Sequence, residues 1–170
     1  MTSIVDDFYV KYEELLTHLQ DNKDVSLQIW AHENFRRVLV LIMANDLENE
    51  VKTTLKEFSK RKSGSDLVSS FIEKSMERQY HTYFNWEGNN ANQFFAFFGD
   101  TFKQEAIKDV RSNNELEDGI RAFLEIGNTR NTLMHKRILL VDLGNKTAEE
   151  FYKSFKKALV FLEYLKMKLK

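Results

Sequence analysis

The chain has 170 residues, 42% of them apolar, which suits one globular domain with its own hydrophobic core. It contains no cysteine, so disulfides, cysteine nucleophiles and thiolate zinc sites are excluded. The formal net charge is −1, from 25 basic and 26 acidic residues, and this balance argues against a protein that coats duplex nucleic acid through many phosphate contacts.

The absence of proline and the presence of only six glycines favour helices over a turn-rich β fold. Apolar residues recur at helical spacing and predict long helices at residues 3–20, 26–62, 66–79, 113–140 and 147–169. Two shorter helices come before the fourth of these: one is capped by Asn90 with Gln93 and ends at Gly99, and the other covers residues 101–110. The predicted fold is a single all-α domain over residues 1–170, a bundle of about five to seven helices.

Several local patterns refine this prediction. Ser112 with Glu115 and Thr147 with Glu150 match capping boxes that begin the last two long helices. Residues 38–44 are apolar on every side, which places the second helix at the centre of the bundle. The first helix is expected to bury one apolar face, made of Ile4, Phe8, Tyr12, Leu15, Leu16 and Leu19.

No targeting or membrane segment is expected. The first residues lack a basic stretch followed by an apolar one, and the longest apolar run is far shorter than the roughly 20 residues that span a bilayer. We therefore expect a cytoplasmic protein that does not bind membranes.

Residues 116–139 carry the most informative pattern. Four of them lie within about 40° of Ile120 on a helical wheel and form the expected packing stripe with it: Leu124, Gly127, Met134 and Ile138. Asn131 lies at the centre of this stripe, although a buried amide must find hydrogen-bond partners. Arg130 and His135 lie on opposite edges, about 140° apart around the helix and about 7.5 Å apart along it. Gly127, one turn earlier, leaves room for a backbone or a ligand to come close.

These residue types suit phosphate chemistry. The arginine guanidinium is a permanent charge with a planar fork for phosphate oxygens, and an imidazole can transfer a proton near neutral pH. The alternative is structural: Arg130 pairs with Glu125 or Glu48, and His135 lies at the edge of the packing face. An isolated Arg-x4-His pattern is short and common by chance, which favours this alternative.

The sequence around Arg130 and His135 favours the functional interpretation over the structural one. Residues 127–136, GNTRNTLMHK, resemble the R-N-x-x-x-H signature of the HEPN superfamily (higher eukaryote and prokaryote nucleotide-binding helical bundles), with a likeness to its RiboL-PSP branch. The apolar run that leads into Asn45-Asp46-Leu47-Glu48 resembles that branch's central helix with its Leu-Glu pair, and residues 92–99 resemble its aromatic segment ending in Phe-Gly. Lys136 departs from the small residue that usually follows the histidine, a change that affects access to the site.

The resemblance implies a metal-independent endoribonuclease without a cofactor, in which two motifs meet across a homodimer and the RNA's own 2′-hydroxyl attacks the scissile phosphate. Arg130 would stabilise the charge on the phosphorane, His135 would transfer the proton, and Asn131 would orient one of them or the phosphate. Glu48 matches the family's Leu-Glu position as a supporting acid. Its alternative role is an ion pair with Lys52, one helical turn away.

The implied setting is a prokaryotic defence, toxin or abortive-infection system, with an RNA substrate and an antitoxin or effector protein as partner. We also predict RNA contacts by Arg37, Lys136 and Arg137. The alternative function is a non-catalytic HEPN module that binds RNA, a nucleotide or a protein, and the near-neutral charge favours it. A plain dimerising bundle would explain the fold but not an asparagine in the packing stripe.

Other candidate residues have ordinary structural explanations. His18, His32 and His81 are too dispersed to predict a metal site, so surface or packing roles are expected. The aromatic loop at residues 80–90 could stack RNA bases, but a small satellite core is the stronger expectation; its aromatic residues are Tyr80, Tyr83, Phe84 and Trp86.

Overall fold

The computed structural model describes residues 3–136 and 138–170, except for the side chains of Glu77 and Leu140. The described residues form seven α-helices: α1 (Ile4–Asp21), α2 (Val25–Ser63), α3 (Asp66–Gln79), α4 (Asn92–Ala96), α5 (Asp100–Ser112), α6 (Asn114–His135) and α7 (Ala148–Lys168). Short 3-10 turns cover Tyr80–Thr82 and Ile138–Leu140. No strand occurs within these ranges, and the all-α prediction is confirmed.

Most helices begin where the sequence indicates. Thr147 and Glu150 form the predicted capping box at α7, since each side chain accepts a hydrogen bond from the other residue's backbone N–H. The capping box predicted for α6 is wrong by one residue. Asn113 is the cap and accepts from the N–H of Leu116, while the Ser112 hydroxyl donates to the carbonyl of Asp109 at the end of α5.

The predicted cap of α4 is also wrong. Ala91 precedes the helix and supplies no side-chain hydrogen bond. Asn90 instead accepts from the N–H of Asn92, and the Gln93 amide reaches across to donate to the carbonyl of Thr82 at 2.6 Å. Gln93 therefore ties α4 to the preceding loop and does not complete a cap.

The end of α6 differs from the prediction of residue 140. The helix ends at His135, and Lys136 has extended backbone with φ −113° and ψ 170°. The guanidinium of Arg37 on α2 donates to the carbonyls of Val141 at 3.2 Å and Leu139 at 3.5 Å. These contacts hold the following segment across α2, so Ile138 lies in a 3-10 turn and does not belong to the α6 stripe.

The α2 helix lies at the centre and packs against α1, α3, α6 and α7, while α6 and α7 pack along each other. In its middle, Leu39, Val40 and Met43 are fully buried, as predicted, but Val38 is 42% exposed. The buried apolar residues of the described ranges form one connected core. None of the described helices is long and apolar enough to cross a membrane.

The predicted buried face of α1 is only partly correct. Tyr12 and Leu19 are buried, but Ile4 is 65% and Leu15 45% exposed, and Val5 and Tyr9 take their place in the core. The reason is that α7 supplies an aromatic partner: the Tyr9 ring stacks on Tyr152 with centroids 4.1 Å apart. Tyrosine packing therefore rotates the buried face of the helix.

Candidate functional site

The sequence motif lies on the last two turns of α6, and the structure joins Arg130 and Asn131 directly. Both are half-buried, and Nη1 of Arg130 donates to Oδ1 of Asn131 at 3.1 Å. Nη2 of Arg130 lies 4.0 Å from Oε2 of Glu48 on the central helix α2. The guanidinium is therefore held between an amide and a carboxylate, and 38% of the Arg130 side chain remains exposed.

Glu48 lies between Lys52 and Arg130. Its Oε1 is 2.5 Å from Nζ of Lys52, the predicted i,i+4 pair, and its Oε2 faces Arg130. The alternative partner proposed for Arg130, Glu125, points elsewhere and pairs with Lys146 at 2.5 Å. Glu48, Lys52 and Arg130 thus form one charge cluster, with a formal charge of +1, between α2 and α6.

A narrow cleft opens beside this cluster. Its lining includes Glu48, Tyr80, His81, Trp86, Arg130 and Asn131, and its free volume is about 20 Å³. That volume holds about one water molecule, so the cleft as it stands cannot enclose a nucleotide. Of the described residues that line it, only Glu48 is acidic.

Tyr80 forms the buried wall of the cleft. Burial raises the pKa of its hydroxyl well above the ordinary value, the charge of Glu48 raises it further, and Arg130 opposes the shift. The phenol therefore stays protonated and neutral at physiological pH. A hydroxyl in that state can donate a hydrogen bond but cannot act as a base.

The loop that follows α3 is fixed to α6 by Trp86. Its indole ring packs over Phe123, with centroids 5.8 Å apart, and lies against Gly127, where an added Cβ atom would overlap Cζ3 of the indole. The indole N–H donates to the carbonyl of His81 at 2.8 Å. Gly127 therefore admits a close approach, as the sequence suggested, and the group that approaches is a tryptophan side chain.

Gly127→Ala should destabilise the protein by about 1–3 kcal/mol, since the added methyl group overpacks the contact with Trp86. A glycine-to-alanine change inside a helix ordinarily stabilises by up to about 1 kcal/mol, so the sign of the effect is diagnostic. Thermal and denaturant unfolding measure it. The same change in a Trp86→Ala background is the control and should lose its penalty, and an equal penalty in both backgrounds would contradict this packing.

The other aromatic residues of the loop are packing residues, as expected, but they join the main core and do not form a separate satellite core. Tyr80 and Phe84 are buried, and Phe84 stacks on Phe94 with centroids 4.7 Å apart. Trp86 is half-buried, and it lines the cleft together with Tyr80.

His135 lies apart from the cleft. It is exposed, it is the last residue of α6, and it is not part of the cleft lining. The predicted packing stripe holds for Ile120 and Leu124, which are buried, but Met134 next to His135 is 60% exposed. The structure therefore unites Arg130, Asn131 and Glu48 within one chain and leaves His135 on a separate exposed surface.

The three residues predicted to contact RNA differ in their surroundings. Arg37 donates to the carbonyls of Glu33, Leu139 and Val141, so its guanidinium ties α2 to the segment after α6. Lys136 is exposed directly after His135. Arg137 lies outside the described residues. RNA contact by these side chains stays a prediction.

His81 is the residue at this cleft that the sequence did not indicate. It was expected to have a surface or packing role, yet it lines the same cleft as Arg130. Its placement depends on the contact between Trp86 and Gly127, two residues 41 positions apart whose pairing no local pattern predicts. Across the part of the chain that the structure describes, no three histidine or acidic side chains converge in a group that could hold a metal ion.

A comparison with protein families matches the chain to the model RiboL-PSP-HEPN over residues 6–170. The chain has no match among the curated proteins or among the solved structures. The matched region contains all seven helices except the first two residues of α1, together with the Arg-Asn-x-x-x-His motif and the Leu-Glu pair. The chain therefore belongs to the RiboL-PSP-HEPN family.

Proposed function

We propose that the protein is a metal-independent endoribonuclease whose site is completed by a second copy of the chain. The observation that carries this proposal is the division of the motif. Arg130 lies with Asn131 and Glu48 at a cleft on one edge of α6, while His135 is exposed at the end of the same helix. Groups suited to phosphate binding and to proton transfer are both present, but they face different surroundings.

Arg130 suits the binding of a phosphate group. Its contacts with Asn131 and Glu48 orient the guanidinium, and the exposed part of the side chain leaves donors free to face an anion. A planar guanidinium can hold two phosphate oxygens at once and stabilise the additional charge of a pentacoordinate transition state. Asn131 keeps the guanidinium in place, and its own amide N–H groups can donate to the phosphate.

His135 suits the transfer of the proton. An exposed imidazole can accept the proton of the RNA 2′-hydroxyl and later donate one to the leaving 5′-oxygen. Attack by the 2′-hydroxyl forms the bond to phosphorus, the bond to the 5′-oxygen breaks, and a 2′,3′-cyclic phosphate remains. The reaction consumes no water or metal in this step.

The small volume of the cleft and the exposure of nearby apolar residues support a second copy of the chain. The cleft holds only about 20 Å³, so a nucleotide needs a second surface against which to bind. Three apolar side chains in this region are exposed. Met134 on α6 is 60% exposed, Leu139 in the segment after α6 is 68% exposed, and Val38 on the part of α2 that this segment crosses is 42% exposed. A symmetric homodimer would cover them and bring His135 of one copy towards Arg130 of the other.

Membership of the family supports a proposal for the biological setting. We propose that residues 1–170 act as one cytoplasmic domain, that its substrate is RNA, and that it serves a prokaryotic defence, toxin or abortive-infection system. A partner protein that neutralises or activates it belongs to the same proposal. Expression of the protein tests this setting: we expect growth arrest, and we expect His135→Ala to relieve it.

The test is RNA cleavage by the purified protein in the presence of EDTA, with analysis of the product ends. We expect cleavage to persist and to leave 2′,3′-cyclic phosphates. The His135→Ala protein, purified in the same way, controls for contaminating ribonucleases and should be inactive. A strict need for added magnesium, or 3′-hydroxyl ends, would contradict the mechanism.

A second candidate function is a non-catalytic module that binds RNA, a nucleotide or a protein partner. The proximity of Glu48 to Arg130 favours it, because a carboxylate 4.0 Å away partly neutralises the cation that would stabilise the transition state. This candidate predicts that the parent protein binds RNA without cleaving it, and that His135→Ala binds equally well.

A further inference from the structure

His81 lies on the Arg130 side of α6, where His135 is absent. It is exposed and lines the cleft together with Arg130 and Asn131. On α6 itself, the edge that carries Arg130 is about 140° from the edge that carries His135. His81 is therefore the imidazole that a single copy of the chain supplies to this cleft.

The backbone on both sides of His81 is held in place. Tyr80 before it is buried in the cleft wall, and the carbonyl of His81 accepts from the indole N–H of Trp86. The carbonyl of Thr82 accepts from the Gln93 amide at 2.6 Å. The backbone is therefore fixed at three successive residues, whereas the His81 side chain is exposed. A side chain held in a defined position in this way is suited to contact a ligand.

The charge around His81 favours an anion. Glu48 is the one acidic residue of the lining, and Lys52 and Arg130 both lie against its carboxylate, at 2.5 and 4.0 Å. A net positive cluster thus borders the cleft on the α2 and α6 side, and His81 borders it from the loop. An imidazole donates one N–H when neutral and two when protonated, so it can add a hydrogen bond to a phosphate that Arg130 attracts.

We propose that His81 is a second histidine of the substrate site and that it binds a phosphate group of the RNA beside Arg130. This inference rests on the proposed RNA substrate and assigns His81 to binding, whereas His135 transfers the proton. Substrate binding would then use Arg130, Asn131 and His81 of one copy, and proton transfer would use His135 of the other.

The imidazole NMR signals test this directly, because the chain has only four histidines: His18, His32, His81 and His135. Each signal is assigned by its loss in the corresponding glutamine variant. The probe is an equimolar mixture of the four nucleoside 3′-monophosphates, with sodium chloride at equal ionic strength as the control. We expect saturable shifts for His81 and no comparable shift for His18 or His32.

The affinity for the same mixture gives a second readout. His81→Ala, which removes the donor, should weaken binding about tenfold, the loss expected for a hydrogen bond to a charged group. His18→Ala, at an exposed histidine near the end of α1, is the matched control and should bind like the parent. An unmoved His81 signal, or unchanged affinity in His81→Ala, would overturn the inference.

The outcomes separate this inference from the proposed function. RNA cleavage by the parent with an unmoved His81 signal would leave the ribonuclease standing and remove His81 from its site. A shifted His81 signal without RNA cleavage would establish the phosphate contact and contradict the proposed catalysis.

Discussion

His135→Ala should lower RNA cleavage by about 10²- to 10⁴-fold, the usual contribution of a positioned acid or base. Its stability should stay within about 0.5 kcal/mol of the parent, because His135 is exposed at the end of α6 and its removal leaves no cavity. Single-turnover cleavage and thermal unfolding measure the two effects.

His18→Ala is the matched control, since His18 is also exposed and lies in the last turn of its helix. It should leave both cleavage and stability unchanged. If His135→Ala cleaves RNA as fast as the parent, or melts far below it, His135 has a structural role and the binding-module function becomes the better account.

Arg130→Lys should lower cleavage by about a hundred- to a thousandfold, although it preserves the charge. The guanidinium contacts Asn131 through Nη1 and faces Glu48 through Nη2, and a lysine ammonium cannot reproduce this planar arrangement. Two phosphate oxygens would then no longer be held together. Stability should change little, because the ion pair with Glu48 is long and partly exposed.

Arg121→Lys provides a control on the same helix. Arg121 is exposed and pairs with Glu117 at 2.5 Å, far from the motif turns. Its cleavage rate should equal that of the parent. Equal cleavage by Arg130→Lys and the parent would show that charge alone suffices and would contradict the two-oxygen contact.

Most of the fold could be predicted from the sequence because its helices are bounded by local signals. The third helix was predicted at residues 66–79, and α3 has those bounds. Two predicted features differ from the structure because contacts between distant residues determine them. The end of α6 is set by Arg37, which is distant in sequence, and the buried face of α1 is set by the stacking of Tyr9 on Tyr152.

The candidate site was predictable to the extent that it depends on one helix. The motif spacing places Arg130 next to Asn131, and the resemblance to the family indicated Glu48 on a different helix. His81 could not be predicted, because its place at the cleft requires the indole of Trp86 to pack on Gly127. A glycine in an apolar stripe indicates a close approach, but it does not say which residue approaches.

In the proposed ribonuclease, Arg130 of one copy and His135 of the other act together on one RNA phosphate. The most direct measurement uses a heterodimer of an Arg130→Ala chain and a His135→Ala chain, purified through a different affinity tag on each. One of its two shared sites is intact, so it should cleave RNA at about half the parent's rate, while both homodimers are inactive. An inactive heterodimer, or a protein from which no heterodimer can be isolated, would contradict the account.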